Sequence, residues 1–429
     1  MNIHELYQIY LRHSSIQTDT RKLKKGDFFF ALKGPNFNAN AFAKQALEGG
    51  AAYAVIDDPS YYIDERTIVV ADVLQALQQL ANHHRKQFQI PIVAITGSNG
   101  KTTTKELIHA VLSSQYKTYT TEGNLNNHIG VPLTLLKIKS DAEMAIVEMG
   151  ANHQKEIESY CVIAEPTHGL ITNCGKAHLE GFGGVEGIRK GKGELFDWLR
   201  AHNGTAFLMT DYDYLKKMSA GISNIITYGT TDAETIGHIA LSDPFLAVTF
   251  TKPQLETVHT ALVGDYNLPN VLAAAAVALY LKVPFQKIKA AIESYQPSNS
   301  RSQLVQKGSI RVIVDAYNAN PSSMKAAIEN FGRAAGDGKM LVLGAMAELG
   351  EESIDEHKAI VDEIKKHSWK DVLLVGGDFA KIKHPFRQLA SAEDAGKWLQ
   401  QQNLNGAYLL VKGSRSMGME GVLPYINEL

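Results

Sequence analysis

Cysteine is nearly missing from these 429 residues: there are two, Cys161 and Cys174. Two thiols without metal-ligand spacing exclude a disulfide framework and a thiolate metal site, and they suit a reducing compartment. Net charge is nearly missing too, at −2, which removes any global electrostatic reason to bind nucleic acid or an anionic membrane. Long apolar runs are absent. The most apolar stretch, "VLAAAAVALYLKV" at 271–283, falls short of the roughly 20 residues of a membrane span and reads as a core helix. The opening "MNIHELYQIYLRHSS" has no basic flank followed by an apolar run, so it is not a signal peptide. A cytoplasmic protein without membrane insertion is expected, and a monomer. No internal repeat or low-complexity tract appears.

What is there is an ordinary globular composition, 45% hydrophobic and 21% charged. The chain is too long for one core, so two or three domains are expected. Residues 1–88 read as a small α/β unit: "GDFFFALKG" is a buried strand, and "NAFAKQALEGGAAYAVID" a helix, a Gly-Gly stop and a strand. "RKLKK" at 21–25 reads as a solvated loop. An X-Pro break at "FQIPIVAIT" marks the boundary. From 89 to 297 strands alternate with helices ("IVAIT", "MAIVE", "HGLIT", "TAFLMT", "NIITYG"), which predicts a parallel sheet with helices on both faces. Period-two segments within 237–263 predict a small antiparallel excursion, and a helix covers 269–283. The polar "YQPSNSRSQ" at 295–303 is the second linker. Residues 298–429 restart the βα rhythm as a Rossmann-like sheet. The expected fold is therefore α/β in three domains: a small α/β domain, a central phosphate-loop ATPase domain with a parallel sheet, and a C-terminal Rossmann-like domain.

The most informative stretch is "ITGSNGKTTTKELI" at 95–108. The general phosphate-loop pattern asks for a glycine where Ile95 stands. The working parts are nonetheless present: a strand, a turn over Gly97, Ser98, Asn99 and Gly100, and a helix opening at Lys101, Thr102 and Thr103. Backbone N–H groups at such a turn face an anion, the lysine reaches β- and γ-phosphates, and the threonine hydroxyl can bind Mg²⁺. A simple capped turn is the bland alternative, and the Thr-Gly before and threonines after weigh against it.

A phosphate loop also needs a carboxylate at a neighbouring strand's end to hold the metal. "MAIVEMGAN" supplies Glu148, and hard Mg²⁺ takes oxygen ligands. Alone, Glu148 would be a solvated strand end. His178 follows the next strand within one loop and reads by default as polar surface. Lys190 and Lys192, flanked by glycines, read by default as surface charges.

Read together, "TGSNGKTTTKE", "EMGANHQKEI", "HLEGFGG…KGKGELF", "GDYNLPNVLAA", "SRSQ", "DAYNANPSSMKAA", "GAMAELGEES" and "KGSRSMGMEGVL" resemble the Mur ligases, in the same order and over nearly the whole chain. The loop without a glycine at 95 is the variant this family carries. "MGANH", "DAYNANP" and "MAELGE" resemble the members that add D-alanyl-D-alanine (D-Ala-D-Ala) to UDP-N-acetylmuramoyl-tripeptide (UDP-MurNAc-tripeptide) in peptidoglycan synthesis.

The resemblance implies an ATP-dependent amide ligase working through an acyl phosphate, with about two Mg²⁺ ions as cofactors. It assigns Lys101 to the phosphates, Thr102 and Glu148 to one Mg²⁺, and His178 to a second. It aligns Lys192 with a lysine that relatives carry as a carbamate, and Lys190 stays open as its alternative. Asn267 and Asn270 match a pair beside the adenine, Arg301 an arginine reaching the γ-phosphate, and Asp315 the acid on the ATP ribose. The bland readings are N-capping for the asparagines, a linker charge for Arg301 and strand-end polarity for Asp315. Tyr317, Asn318 and Asn320 would face the dipeptide, whereas Ser322 and Ser323 read as a helix start outside the site. Thr20, Arg21, Lys33 and Gly34 match the family's uridine-diphosphate segment. Asn38 and Asn40 stand where many relatives have Asp-Gly-His, so no carboxylate is expected there.

Two rivals are weighed. Another ligase of the superfamily is one, either the enzyme adding the third stem-peptide residue or folylpolyglutamate synthase. The diaminopimelate-type third-residue enzyme carries Asp-Asn-Pro-Arg, which occurs nowhere here. A nucleotide-binding regulator without ligase activity would have lost the metal or lysine positions, and all four are present.

Overall fold

Three sheets, each built mainly from parallel strands, organise the chain. The computed structural model describes residues 2–298 and 300–427. In the first unit the strands Ile16–Gln17, Phe28–Phe30, Tyr53–Ile56 and Thr67–Val69 lie side by side in that order, all parallel. The helix Ala43–Glu48 ends at Gly49-Gly50, with Gly50 at φ 101°. The 21–25 run is exposed apart from half-buried Leu23, and begins as a turn of 3-10 helix, Thr20–Lys22.

The central sheet has nine strands. Its parallel part places Ile92–Thr96 between Met144–Glu148 and His168–Ile171. These apolar runs are buried on both faces, as parallel strands under helices must be. The antiparallel excursion exists as Thr235–Ser242, Phe245–Lys252 and Glu256–Val263, but it is not separate. Tyr228 and Gly229 pair in parallel with Thr235 and Ile236, so it extends the same sheet. The helix Leu268–Tyr280 is apolar all round and packs on the phosphate-loop helix Lys101–Ser113, which explains its composition. Among the described residues no helix is long and apolar enough to cross a membrane. Both cysteines are buried and free.

The third sheet has six strands, the first of them, Gln303–Lys307, antiparallel to Ile310–Asp315 and the rest parallel. The short strands Ile16–Gln17, Phe37–Asn38, Thr67–Val69, Thr118–Thr120, Gln303–Lys307 and Arg387–Leu389 escape the sequence reading. Each is an edge or near-edge element, too short or too polar to show a hydrophobic period.

The first and central units are welded through the helices Ile3–Arg12 and Val73–Arg85. The Tyr10 hydroxyl donates to the Leu136 carbonyl at 2.6 Å, the His84 ring meets the Ile138 carbonyl at 2.8 Å, and Arg85 donates to Ala164 and Glu165 carbonyls at 2.9 and 3.0 Å. Burial lowers the His84 pKa, so the ring is held neutral between these partners.

Candidate active site

The strand Ile92–Thr96 ends in a turn that only glycine permits at two places. Gly97 has φ 141°, and a Cβ there would stand 2.0 Å from the Thr172 hydroxyl; Gly100 has φ 79°, and its Cβ would meet Asn270 Oδ1 at 2.6 Å. The turn is pinned from the next strand's exit. Ser98 N–H donates to the Asn173 carbonyl at 2.8 Å, Asn99 N–H to Asn173 Oδ1 at 3.1 Å, and the Thr172 hydroxyl to the Asn99 carbonyl at 2.6 Å. The Lys101 ammonium folds back onto the Gly97 and Ser98 carbonyls at 2.7 and 3.1 Å. Burial lowers its pKa, Glu148 opposes that shift and Arg301 adds to it. Two cations thus face one place short of negative charge, which is what an anion site needs.

Glu148 is 1% exposed. Its Oε1 accepts from the Thr102 hydroxyl at 3.2 Å and from Asn126 Nδ2 at 2.8 Å, while Oε2 is buried without a partner among the described residues. An orphaned carboxylate oxygen beside a threonine hydroxyl and a phosphate loop fits a hard divalent cation. No group of three or more His, Cys, Asp or Glu side chains gathers among the described residues. A cation there would accordingly take protein ligands of mixed type and complete its shell with nucleotide or water oxygens.

The third unit closes the far side. A cavity of about 1020 Å³ is lined from the central unit by the phosphate loop, Glu148, His178, Asn267 and Asn270, and from the third by Arg301, Asp315, Tyr317, Asn318 and Asn320. The Arg301 guanidinium stacks 3.6 Å over the Tyr317 ring, and its Nε is buried without a partner among the described residues. Asp315 receives the Ser302 N–H at 3.2 Å and the Lys412 ammonium at 2.5 Å. Asn318 Oδ1 accepts from the Ala319 and Arg415 N–H groups. Asn320 caps the helix Pro321–Arg333 and also donates to Asn99 Oδ1 at 2.7 Å, so it joins the two units at the loop itself.

The asparagine pair does not cap its helix. Asn267 Nδ2 donates to the Val263 carbonyl and its Oδ1 accepts from Asn270, whose own Oδ1 accepts from the Thr104 hydroxyl. Ser323 closes a capping box with Asn320, as a helix start should. Ser322, however, accepts the Lys176 N–H at 2.9 Å, and both serines line the cavity they were excluded from. His178, at φ 53°, holds Glu348 of the third unit at 2.5 Å between Nδ1 and Oε2, so it is an interdomain partner here and not a surface residue.

Against that geometry stand the comparisons. The Mur ligase middle-domain model matches residues 95–278, the Mur ligase glutamate-ligase-domain model 300–415, and the Mur ligase family catalytic-domain model 12–85. The UDP-N-acetylmuramoyl-tripeptide–D-alanyl-D-alanine ligase of Bacillus subtilis is 34% identical, covering 95% of this chain and 92% of that one. The chain belongs to the Mur ligase family. The Escherichia coli enzyme of the same name is 36% identical over 96% of this chain and 94% of its own. Among solved structures, MurF from Acinetobacter baumannii superposes with a TM-score of 0.86 at 31% identity, and MurF from Thermotoga maritima in complex with ADP with 0.87 at 27%, each covering 97% of both chains. The expected family and three-domain α/β fold are those found.

Within this Mur ligase, Lys192 does not line the cavity. It is 1% exposed, donates to the Ala151 carbonyl at 3.0 Å and lies over the Phe182 ring, so the default reading as a surface charge is wrong. Burial first, then the Lys101 charge, lowers its pKa to about 7. Its neighbour Lys190 is exposed. A half-neutral buried amine at neutral pH has the chemistry to add CO₂, which an exposed ammonium lacks.

The uridine-segment residues lie apart, in the first unit. Arg21 is exposed and paired with Asp19 at 2.8 Å beside Thr20. Lys33 and Gly34 pair with Asn38 and Phe37 in a two-stranded hairpin. A carboxylate is present there after all: Asp57, distant in sequence, takes Lys33 Nζ at 2.8 Å and Asn40 Nδ2 at 2.8 Å, and donates its own N–H to Asn40 Oδ1 at 3.0 Å. Asn40 is 0% exposed, so its amide is spent on Asp57 and Asn38. The strand Tyr53–Ile56 delivers Asp57 beside the hairpin, a pairing no local motif encodes. Asn126, Asn173 and Lys412 were missed for the same reason; only Lys412 sits in a segment singled out by resemblance, "KGSRSMGMEGVL".

Proposed function

We propose that this Mur ligase joins D-alanyl-D-alanine to UDP-N-acetylmuramoyl-tripeptide, with ATP converted to ADP and phosphate. The observation that carries the reading is the single cavity in which Lys101 and Glu148 of one unit meet Arg301, Asp315 and Asn320 of another. The relatives' shared name gives the substrates. The domains are proposed as 1–88, 89–297 and 298–429, each enclosing one sheet, and the enzyme as a cytoplasmic monomer.

A carboxylate is a poor acyl donor because attack on it must expel oxide. Its oxygen first attacks the γ-phosphorus of ATP, breaking the bond to the β-γ bridging oxygen and releasing ADP. The acyl phosphate then loses phosphate when the dipeptide's amine attacks its carbonyl carbon. Both steps build negative charge, so fixed cations lower both barriers. Lys101, folded onto the loop, and Arg301, lining the same cavity, would be the fixed cations. Asp315 suits the ribose hydroxyls, Asn267 and Asn270 the adenine side, and Tyr317, Asn318 and Asn320 the dipeptide. Thr102 and Glu148 would hold one Mg²⁺, and His178 with a carbamylated Lys192 a second; these ions would neutralise phosphate charge. The first-unit residues Thr20, Arg21, Lys33, Gly34 and Asn38 would receive the uridine-diphosphate end, with buried Asn40 bracing them through Asp57 and Asn38.

Phosphate release from ATP, measured while omitting each substrate in turn, tests this reading. Release needing both UDP-MurNAc-tripeptide and D-Ala-D-Ala, with a pentapeptide product by mass spectrometry, is expected. Equal release with the UDP-MurNAc-dipeptide and a single amino acid would assign a different step of the family.

A further inference from the structure

Glu148 is held from a direction the phosphate loop does not supply. Its Oε1 takes two hydrogen bonds, one from the Thr102 hydroxyl and one from Asn126 Nδ2 at 2.8 Å, while buried Oε2 has no partner among the described residues. Asn126 belongs to the segment between Thr118–Thr120 and the helix Gly130–Leu135. Its backbone carbonyl accepts the Gly150 N–H at 2.8 Å, and its carboxamide lies so close to Gly150 that a Cβ there would stand 2.9 Å from Asn126 Cγ. The same segment fixes the carboxylate's root: the Glu148 N–H donates to the Thr121 hydroxyl at 3.0 Å.

We infer that Asn126 is a positioning residue that fixes the rotation of the Glu148 carboxylate, presenting one oxygen to the cation and occupying the other. One donor alone leaves a carboxylate free to swing about that bond; a second donor to the same oxygen, from a different element, restrains the swing. Occupation of Oε1 also prevents both oxygens from closing on a small ion that demands near-octahedral geometry. An amide suits the place because it donates without adding a second negative charge beside Glu148. This rests on the reading of Glu148 as a Mg²⁺ ligand.

The test is ADP binding to the full-length protein by titration calorimetry, with and without Mg²⁺, for wild type, Asn126→Ala and Asn126→Ser. Serine keeps a polar side chain but is too short to reach Oε1. The backbone tie to Gly150 is untouched in both, and a thermal melt checks folding. The inference expects Mg²⁺ to tighten ADP binding in wild type, and both variants to lose about tenfold of that tightening while their Mg²⁺-free affinity stays within twofold. Unchanged tightening in either folded variant overturns the role of Asn126, as does an equal fall with and without the ion. Absence of any Mg²⁺-linked tightening in wild type would overturn the metal reading itself, and the inference with it.

Discussion

At the scale of single residues, the backbone of the phosphate loop makes the sharpest demand. Gly97→Ala would force a Cβ into the Thr172 hydroxyl at a backbone angle L-residues avoid, and strain of this kind costs about 1–3 kcal/mol. The expected result is a folded protein that no longer binds ADP, read by calorimetry. Lys192 gives a pH-dependent prediction. Its pKa is lowered to about 7, so the neutral amine that can add CO₂ grows as pH rises through that range and shrinks as pH falls below it. Turnover in bicarbonate-free buffer should therefore fall, return on adding bicarbonate, and return less completely as pH drops below 7. Lys192→Arg, which keeps a cation but cannot form a carbamate, should lose roughly 10²-fold or more in kcat and gain nothing from bicarbonate. Much of this level was legible in the sequence, because Gly97, Gly100, Lys101, Thr102 and Glu148 sit in short runs whose order encodes their geometry. Asp57 and Asn126 were not, because each acts on a residue reached only through the fold.

Among the elements, the helix Pro321–Arg333 has an N-cap that does two jobs. Asn320 caps it and bridges to Asn99 of the phosphate loop. Asn320→Ala should cost about 1 kcal/mol of stability from the lost cap, measured by denaturant unfolding. It should also raise the KM for ATP, because the loop loses its brace; Asn320→Asp, which caps equally well but cannot donate to Asn99, should restore the stability and not the KM. The long apolar strands were read correctly, but the helices Val73–Arg85 and Val185–Ala201 were not, the second because glycines at 187, 191 and 193 hide its period. The unread strands, Ile16–Gln17, Phe37–Asn38, Thr67–Val69, Thr118–Thr120, Gln303–Lys307 and Arg387–Leu389, are short or lie at edges, where pairing with a neighbour makes the strand and local composition does not. Pro321-Ser-Ser was read as a helix start and is one, but the hydroxyl of Ser322 also reaches the loop after His168–Ile171, a contact that belongs to the tertiary structure alone.

For the whole molecule, the two interfaces differ in kind. The first and central units share buried helices and carbonyl-directed hydrogen bonds. The central and third units share part of one apolar core and meet around the cavity through polar contacts, among them the His178–Glu348 contact and the ion pair Lys176–Glu356. Interfaces of this sort permit relative motion, and the cavity is lined from both units, so a nucleotide bound there would couple closure to catalysis. Replacing Glu348 and Glu356 together by glutamine should enlarge the radius of gyration of the nucleotide-free protein in small-angle scattering, and ADP with Mg²⁺ should bring it back toward the wild-type value. Equal radii in every condition would count against a hinge there. The measurement that tests the central claim most directly follows one oxygen atom. With ¹⁸O in both positions of the tripeptide's reacting carboxylate, attack on ATP and later expulsion of phosphate should place one labelled oxygen in each phosphate released and leave the other in the new amide. Unlabelled phosphate, formed at the same rate as pentapeptide, would contradict the acyl-phosphate route and the roles given to Lys101 and Arg301.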